Sequence, residues 1–268
     1  MMKKLRVTLV TPTIAWPTVV LAVLTFSAWI WSFMYLKNTK RVLVSTLATY
    51  IAFTPAHDAA HRSVSRNYRV LNEAVGWLSQ IPLLAPFPAF RFCHLEHHKN
   101  VNDPDRDPDF YSQRSGLFFR WCTQDLHYYY LILTTPSKKC PKYCIPISIA
   151  ILFAQFFTLF LIAQSSGFNT ILQGWILPQR LAVIMLAYSF DFVPHRGAEP
   201  RKLDEYRTTK HIQSSWLPAW LLRCILLCQD AHVVHHLYPL LPFYSYHRIW
   251  FNHSDELYAR GVQDTTLF

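Results

Sequence analysis

Residues 7–36 read VTLVTPTIAWPTVVLAVLTFSAWIWSFMYL and contain no Asp, Glu, Lys or Arg. A helix needs about 20 apolar residues to cross the hydrocarbon core of a bilayer, so this stretch predicts one span over about Ala15–Leu36. A second uncharged stretch, Tyr143–Gln179, predicts a helical pair over about Ile145–Gln164 and Pro178–Val193. Together the two stretches predict an integral membrane protein.

The composition of the chain agrees with a membrane protein. Its 268 residues are 51% hydrophobic and 16% charged, whereas charged residues make up about 25% of a typical soluble domain. This balance excludes intrinsic disorder, which needs low hydrophobicity. The net charge is +10, but there is no basic repeat, zinc finger or aromatic RNA-binding motif, so we expect no nucleic-acid partner. The six cysteines form no C-x-x-C pair, which favours buried, reduced thiols.

The remaining apolar segments complete a predicted topology of about four transmembrane helices. A further span is predicted over about Val42–Ala56. The segment Leu71–Phe90 contains three prolines, a density that suits a re-entrant or interfacial hairpin better than a straight crossing helix. Trp121–Thr135 and Trp216–Cys228 are predicted to lie at the membrane interface. We therefore expect a single all-α integral membrane domain, residues 1–268, with re-entrant or interfacial helices and a cytosolic histidine-rich cap.

The positive-inside rule predicts which side of the membrane each connecting segment occupies. With a cytosolic N-terminus, 22 of the 26 basic residues face the cytosol or its interface. The four others are Lys37, Lys40, Arg41 and Arg180. The basic N-terminus precedes an apolar run that is too long for a signal peptide, so we expect a retained anchor. The expected location is a multi-pass arrangement, with a bacterial inner membrane favoured.

Nine of the 13 histidines fall into four clusters, which are the most distinctive feature of the sequence. The clusters are His57 and His61; His94, His97 and His98; His195; and His232, His235 and His236. Helix residues three and four positions apart share one face, so the members of a cluster are expected to point the same way. In the predicted topology all four clusters lie on the cytosolic side. The other histidines, His127, His211, His247 and His253, are expected to be ordinary hydrogen-bonded residues.

Nine imidazoles on one side of a membrane predict a metal centre. Imidazole is the commonest metal-binding side chain, and nine are too many for one tetrahedral zinc ion. They suit two metal ions with open coordination positions. Redox chemistry at imidazole ligands favours iron, although this set lacks the carboxylate of the usual facial triad. The segment HLEH at 94–97 matches neither zinc-protease motif, and a haem would need only one or two axial ligands.

The spacing of the clusters resembles that of the membrane fatty acid desaturase and hydroxylase superfamily. The pattern is H-x-x-x-H, H-x-x-H-H and H-x-x-H-H, with one more histidine before the last box, over about residues 51–250. Four phrases are most similar to the carotenoid-ring hydroxylase and ketolase branch: HDAAHR at 57–62, HLEHHKNVNDPD at 94–105, DFVPHR at 191–196 and HHLYPLLPFY at 235–244. That branch usually has Asn-Tyr before the last box, where this chain has Asp230 and Ala231. Acyl and carotenoid substrates therefore both stay open.

The resemblance implies that all nine clustered histidines bind two iron ions and that O2 is the cosubstrate. It implies oxidation of an unactivated C–H bond in a membrane lipid or carotenoid, by desaturation or by hydroxylation. Beyond the metal ligands we expect no catalytic residue. Four acidic residues beside the clusters are candidates to hold imidazole N–H groups: Asp58, Glu96, Asp191 and Asp230. The acidic loop Asp103–Asp109 is a candidate to cover the site, and an ordinary acidic turn is the alternative.

Electrons must come from an external donor, because the chain has no dinucleotide-binding fingerprint and no evident haem or ferredoxin domain. A ferredoxin-like or cytochrome donor is expected, and a basic surface is its candidate docking site. That surface comprises Arg62, Arg66, Arg69, Lys138, Lys139 and Lys142. The same charges also suit an ordinary cytosolic flank. The alternative of another class is a membrane zinc hydrolase or metal transporter, but a transporter would place its ligands near mid-membrane, whereas these histidines lie at span ends.

Overall fold

The chain folds as long helices that end in a histidine-rich cap. A computed structural model describes residues 11–114, 116–134 and 141–267. The helices are α1 Trp16–Tyr35, α2 Asn38–Ala60, α3 Arg69–Gln80, α4 Phe87–Asn100, α5 Leu117–Cys122, α6 Gln124–Thr134, α7 Cys144–Ser166, α8 Phe168–Phe192, α9 Ala219–Ile225, α10 His232–Leu237 and α11 Tyr246–Ala259. Short 3-10 helices lie at Pro108–Gln113, Glu205–Arg207, Gln229–Ala231 and Phe243–Ser245. Two strands, β1 His211–Gln213 and β2 Asp264–Thr266, pair in parallel.

Three helices in the described part of the chain are long and apolar enough to cross a membrane: α1, α7 and α8. They overlap three of the four predicted spans, but α8 begins at Phe168, ten residues before the predicted start at Pro178. Only 11% of the apolar window of α7 is buried, and its outer face carries Phe153, Phe156 and Phe160 in exposed positions. Large apolar surfaces of this kind are stable in lipid and costly in water. The chain is therefore an integral membrane protein.

The fourth predicted span, Val42–Ala56, lies inside α2, the central helix of the bundle. This helix packs against α1, α3 and α8. It is less apolar than the three long helices because it buries polar side chains, and the Ser45 hydroxyl lies 2.6 Å from that of Ser32 on α1. Burial of α2 places His57, in its last turn, inside the molecule.

The proline-rich segment Leu71–Phe90 forms a helical hairpin made of α3 and the start of α4. Pro86 is the N-cap of α4 and Pro88 lies in its first turn, where the missing N–H group of proline costs no hydrogen bond. Gly76 allows the two helices to approach closely, because a Cβ atom there would lie 2.0 Å from the Phe87 ring. The hairpin brings the C-terminal end of α4 beside the C-terminal end of α2.

Two indole N–H groups fasten α8 to its neighbours. Trp29 Nε1 donates to the Gly174 carbonyl at 3.1 Å, and Trp175 Nε1 donates to the Ile81 carbonyl at 3.2 Å. The helix contains two π-helical turns, and such turns are frequent at functional sites. The second one ends at Phe192, three residues before His195.

Three details differ from the sequence prediction. The all-α class omits the pair β1–β2, because strands of three residues carry too short a pattern to detect. The first predicted interfacial segment contains α6 and only the end of α5, and the second contains α9; both α6 and α9 are shorter than the predicted segments. The cysteines with described positions are free thiols, but only Cys93 and Cys144 are buried; Cys122 and Cys228 are partly buried and Cys224 is exposed. Cys140 lies outside the described residues.

Candidate metal centre

The structure brings all nine clustered imidazoles into one contiguous group. Their side chains are only 0 to 6% exposed. The four other histidines lie outside the group. Two of these form ordinary contacts: the His127 ring stacks on Tyr111, and the His211 ring stacks on Trp250. The group therefore consists of the clustered histidines and does not include the four others.

Five of the imidazoles form the first half of the group: His57, His61, His94, His98 and His235. Their ligand nitrogens all lie within 4.8 Å of one another. His235 is central, since its Nε2 atom lies 2.9 Å from His57 Nε2 and 2.8 Å from His98 Nε2. His61 Nε2 and His94 Nε2 are 2.7 Å apart.

The second half of the group contains His97, His195 and His236, whose ligand nitrogens also lie within 4.8 Å of one another. His97 Nε2 is 3.4 Å from His236 Nε2. His232 adjoins this half, with its Nε2 atom 3.0 Å from His236 Nε2. The His98 and His236 rings stack at 4.4 Å, so the two halves are in direct contact.

Helix geometry explains how separate segments deliver these rings. His57 lies in the last turn of α2, His97 and His98 lie in the last turn of α4, and His195 follows the end of α8. The three clusters with more than one histidine use the three- or four-residue spacing that points side chains to one face. The C-terminal end of a helix carries partial negative charge. Helices that end at this group therefore favour a bound cation.

The spacing of the nitrogens fits bound metal ions. Two imidazole nitrogens on one ion, at bond lengths of about 2.1 Å and a right angle, lie about 3.0 Å apart. The observed Nε2 pairs lie 2.7 to 3.4 Å apart. His195 Nε2 is buried and has no hydrogen-bond partner among the described residues. Neutral imidazole nitrogens that face one another, without a proton donor between them, are explained by cations between them.

The protonation states also fit metal binding. Burial, followed by the neighbouring imidazoles, holds the pKa values of His98, His232, His235 and His236 well below their usual range. These rings are therefore neutral near pH 7. Metals bind the neutral form of imidazole.

In four of the rings the Nδ1 atom, which points away from the other imidazoles, is held by side chains other than the four acidic residues expected from the sequence. His97 Nδ1 donates to Asp107 Oδ1 at 2.8 Å, and His195 Nδ1 donates to Asn102 Oδ1 at 3.2 Å. In the last cluster, His232 Nδ1 donates to Gln229 Oε1 at 2.8 Å. His235 Nδ1 lies 2.9 Å from the Tyr246 hydroxyl. Such contacts orient each ring with Nε2 facing inward, and a proton held at Nδ1 leaves the Nε2 lone pair free to bind a metal ion.

The acidic loop is built into the site. Asp107 Oδ2 accepts from the backbone N–H of Asn102 at 2.7 Å, which links the partners of His97 and His195. Asp109 Oδ2 lies 3.4 Å from His97 Nδ1. Burial lowers the pKa of His97, but the two carboxylates outweigh burial and raise it to about 9. A metal ion at Nε2 would displace that proton, while Nδ1 stays protonated against the carboxylates.

The four acidic residues singled out from the sequence occupy different positions. Asp58 Oδ2 accepts from the Thr18 hydroxyl at 2.7 Å, and its Oδ1 lies 3.9 Å from His57 Nδ1, beyond hydrogen-bond range. Glu96 contacts Lys99 at the surface. Asp230 lies 3.7 Å from Arg223. In the structure as described, none of these three makes a hydrogen bond to an imidazole. Asp191 lines a small cavity beside the rings.

A mostly apolar cleft lies against the histidine group. Its lining surface is almost entirely apolar, as is usual for the walls of ligand-binding pockets. Phe53, Tyr128 and Asp191 line both this cleft and the small cavity that touches the histidines. The cleft therefore leads from the apolar helices to the candidate metal centre.

A family comparison agrees with this geometry. The model of the family described as "Fatty acid desaturase" matches residues 40–268, which include every clustered histidine. The chain belongs to the fatty acid desaturase family. The membership predicted from the histidine motifs is thereby confirmed.

Individual relatives of this desaturase-family chain align over different lengths. The chloroplastic omega-6 fatty acid desaturase of Glycine max is 24% identical over 86% of this chain and 60% of the relative. The sn-1 oleoyl-lipid 12-desaturase of Anabaena variabilis is 31% identical over 40% of this chain and 31% of the relative. The sn-1 acyl-lipid omega-3 desaturase (ferredoxin) of Nostoc sp. (strain 36) is 39% identical over 22% of this chain and 16% of the relative. The chain thus spans at most 60% of the length of these three relatives.

Proposed function

We propose that this chain is an O2-dependent oxidoreductase that oxidises an unactivated C–H bond in a membrane lipid, as a fatty acid desaturase does. Nine histidines would hold two iron ions: His57, His61, His94, His97, His98, His195, His232, His235 and His236. The observation that carries the proposal is their arrangement in two touching groups of Nε2 atoms. Bound iron would supply the redox chemistry that lets O2 attack a C–H bond.

The structure supports iron better than zinc. A tetrahedral zinc site uses three or four protein ligands, whereas one half of this group alone offers five imidazoles. The ligands also lie at helix ends, which would keep them away from mid-membrane and disfavours a metal transporter. The residues of the chain bind the ions, orient the rings through Nδ1, and keep water away by burial.

The lipid substrate is proposed from the cleft. Its walls are mainly apolar, with Phe53, Leu83 and Val183 among them, and it adjoins helices with lipid-facing surfaces. The names of the relatives mention oleoyl-lipid and acyl-lipid desaturases. A carotenoid ring is the alternative substrate, because four sequence phrases favour that branch and apolar walls suit either kind of hydrocarbon.

The electron donor is proposed to be ferredoxin-like. Two relatives carry "(ferredoxin)" in their names, and ferredoxins are acidic proteins that a basic surface attracts. Arg62, Arg66, Arg69 and Lys142 are exposed here, whereas Lys138 and Lys139 lie outside the described residues. Replacing Arg62, Arg66 and Arg69 together by Glu should slow donor-limited turnover and leave iron content unchanged. Unaltered donor kinetics would remove this surface from the proposal, with a cytochrome at another face as the alternative.

The membrane arrangement is proposed from the same chain segments. We infer that α2 is the fourth span, since its 23 residues can cross a bilayer, and that the whole chain is one domain. The histidine group would then face the cytosol, in a bacterial inner membrane. Cysteine labelling of intact cells at introduced loop positions tests this orientation.

Lipid and pigment profiling tests the function most broadly. The chain is expressed in a carotenoid-producing host that supplies a compatible reductant, beside a His97→Ala variant. New unsaturated or hydroxylated acyl chains with the wild type only would support the proposal, and new carotenoid products would select the alternative substrate. A profile identical to that of the variant would contradict oxidation of either lipid class.

A further inference from the structure

The mostly apolar cleft beside the histidines contains a polar side chain that nothing in the protein satisfies. Gln80, the last residue of α3, lines the cleft and is 1% exposed. Neither its amide nitrogen nor its amide oxygen has a hydrogen-bond partner among the described residues. An amide buried without partners is destabilising, so its position calls for a ligand that enters the cleft.

Gln124 adds a second unsatisfied group to the lining of the cleft. It is 5% exposed and lines the cleft. Its Nε2 lies 3.4 Å from both the Pro108 carbonyl and Asp109 Oδ1. Its Oε1 has no partner in the described part of the chain. The cleft therefore offers a donor and an acceptor at Gln80 and an acceptor at Gln124.

Gln80 lines the cleft but does not line the small cavity that touches the histidines. The turn that follows it is fastened to α8, because Gln179 Nε2 donates to the Leu83 carbonyl at 3.2 Å. Asp191, which lines the cavity at the histidines, follows Gln179 by twelve positions, or about 18 Å along a helix. A group bound at Gln80 is thus remote from the oxidised carbon.

The charges around the cleft indicate that the bound group is neutral. Asp125 lines the cleft and is paired with Arg180, whose Nη1 and Nη2 donate to the two carboxylate oxygens at 2.7 and 2.8 Å. Asp191 is the other acidic residue in the wall, and the described lining includes no Lys or Arg. A carboxylate or phosphate would therefore find no counter-charge in the lining.

We propose that the cleft binds a lipid that carries a hydroxyl group remote from the oxidised carbon, and that Gln80 hydrogen-bonds this hydroxyl. An alcohol both donates and accepts, so it satisfies the two atoms of the Gln80 amide. An ester or ether oxygen only accepts hydrogen bonds, so it would leave the Gln80 oxygen without a donor. The inference rests on the proposed function, because it names the substrate class of the same site.

Matched probes test this assignment on the purified full chain in detergent. Radiolabelled octadecan-1-ol is bound and displaced by unlabelled octadecan-1-ol, 1-methoxyoctadecane or octadecanoate. In the wild type the alcohol should compete at least about tenfold more strongly than the ether or the acid, since one donated hydrogen bond to a buried acceptor is at stake. Equal competition by alcohol and ether, as expected if water fills the cleft, would overturn the proposal.

Two variants connect the preference to Gln80. Gln80→Leu should bring the alcohol and ether to within about twofold, while Gln173→Leu, on α8 outside the cleft lining, should keep the wild-type preference. Because the Gln80 amide has no protein partner, Gln80→Leu should melt at or above the wild-type temperature. A preserved alcohol preference in Gln80→Leu, or a melting temperature several degrees lower, would contradict the role assigned here.

Iron content and lipid oxidation, measured on the same preparations, separate this proposal from the proposed function. Gln80→Leu should retain wild-type iron. A wild type that prefers the alcohol but holds no iron would refute the oxidoreductase and leave the hydroxyl site standing. An iron-loaded, active wild type that does not prefer the alcohol would refute the hydroxyl site and leave the oxidoreductase standing.

Discussion

Replacing Asp107 by Asn should loosen the metal centre without removing any proposed ligand. The Asp107 carboxylate accepts three N–H groups: His97 Nδ1 at 2.8 Å and the Asp109 backbone N–H at 2.9 Å on Oδ1, and the Asn102 backbone N–H at 2.7 Å on Oδ2. An amide keeps only one oxygen. If the oxygen of the introduced amide takes the place of Oδ1, one buried N–H group faces the new NH2 group. If it takes the place of Oδ2, two buried N–H groups face the NH2 group.

The expected magnitude follows from these contacts. Each buried donor left without an acceptor costs about 1 to 3 kcal/mol of folding stability. Loss of a group that orients a metal-binding imidazole typically weakens metal binding by about 10- to 100-fold. The effect should extend to His195, because Asn102 holds its Nδ1 atom.

Iron retention provides the assay. Wild type and Asp107→Asn are dialysed against a graded series of chelator concentrations, and the iron bound per chain is measured, together with the melting temperature. The control is Asp105→Asn, an exposed position in the same acidic loop, which should behave as the wild type. Wild-type iron retention by Asp107→Asn would refute the view that this loop orients His97.

Two further variants address the ligand group and the hairpin. His235→Ala removes the ring whose Nε2 atom lies within 2.9 Å of Nε2 atoms of both His57 and His98, so it should abolish oxidation and lower the bound iron. The control His253→Ala should do neither. Full iron and activity in His235→Ala would exclude His235 as a ligand. Gly76→Ala places a methyl group against the buried Phe87 ring, so it should destabilise the protein by about 1 to 3 kcal/mol. Val70→Ala, at an exposed position of α3, is the control. An unchanged denaturation midpoint in Gly76→Ala would show that the hairpin can relax there.

The features that sequence could predict are those written in short-range patterns. Uncharged runs located α1, α7 and α8, because crossing a bilayer demands apolar side chains over the full length of a helix. The clusters around His57, His94 and His232 could be identified as ligand sets because helical spacing alone puts their members on one face. Their meeting in one group depends on the order of the helices, which the charge distribution constrains.

The outer partners of the histidines could not be read in this way. Asn102 reaches His195 across 93 positions in the chain, and its backbone has a φ of 60°, a conformation that Asn tolerates better than most residues. Tyr246 reaches His235 from the following helix. Sequence proximity instead favoured Glu96 and Asp230, whose carboxylates face Lys99 and Arg223. Adjacent helix positions point in different directions, so a neighbour in sequence is a poor guide to a partner in space.

The most direct test of the two-iron centre is the metal content of the purified full chain, measured by inductively coupled plasma mass spectrometry with iron-edge X-ray absorption on the same sample. About two iron ions per chain, with nitrogen neighbours near 2.1 Å, is the expected result. Zinc without iron, or iron bound in a sample whose clustered histidines have been replaced, would contradict it.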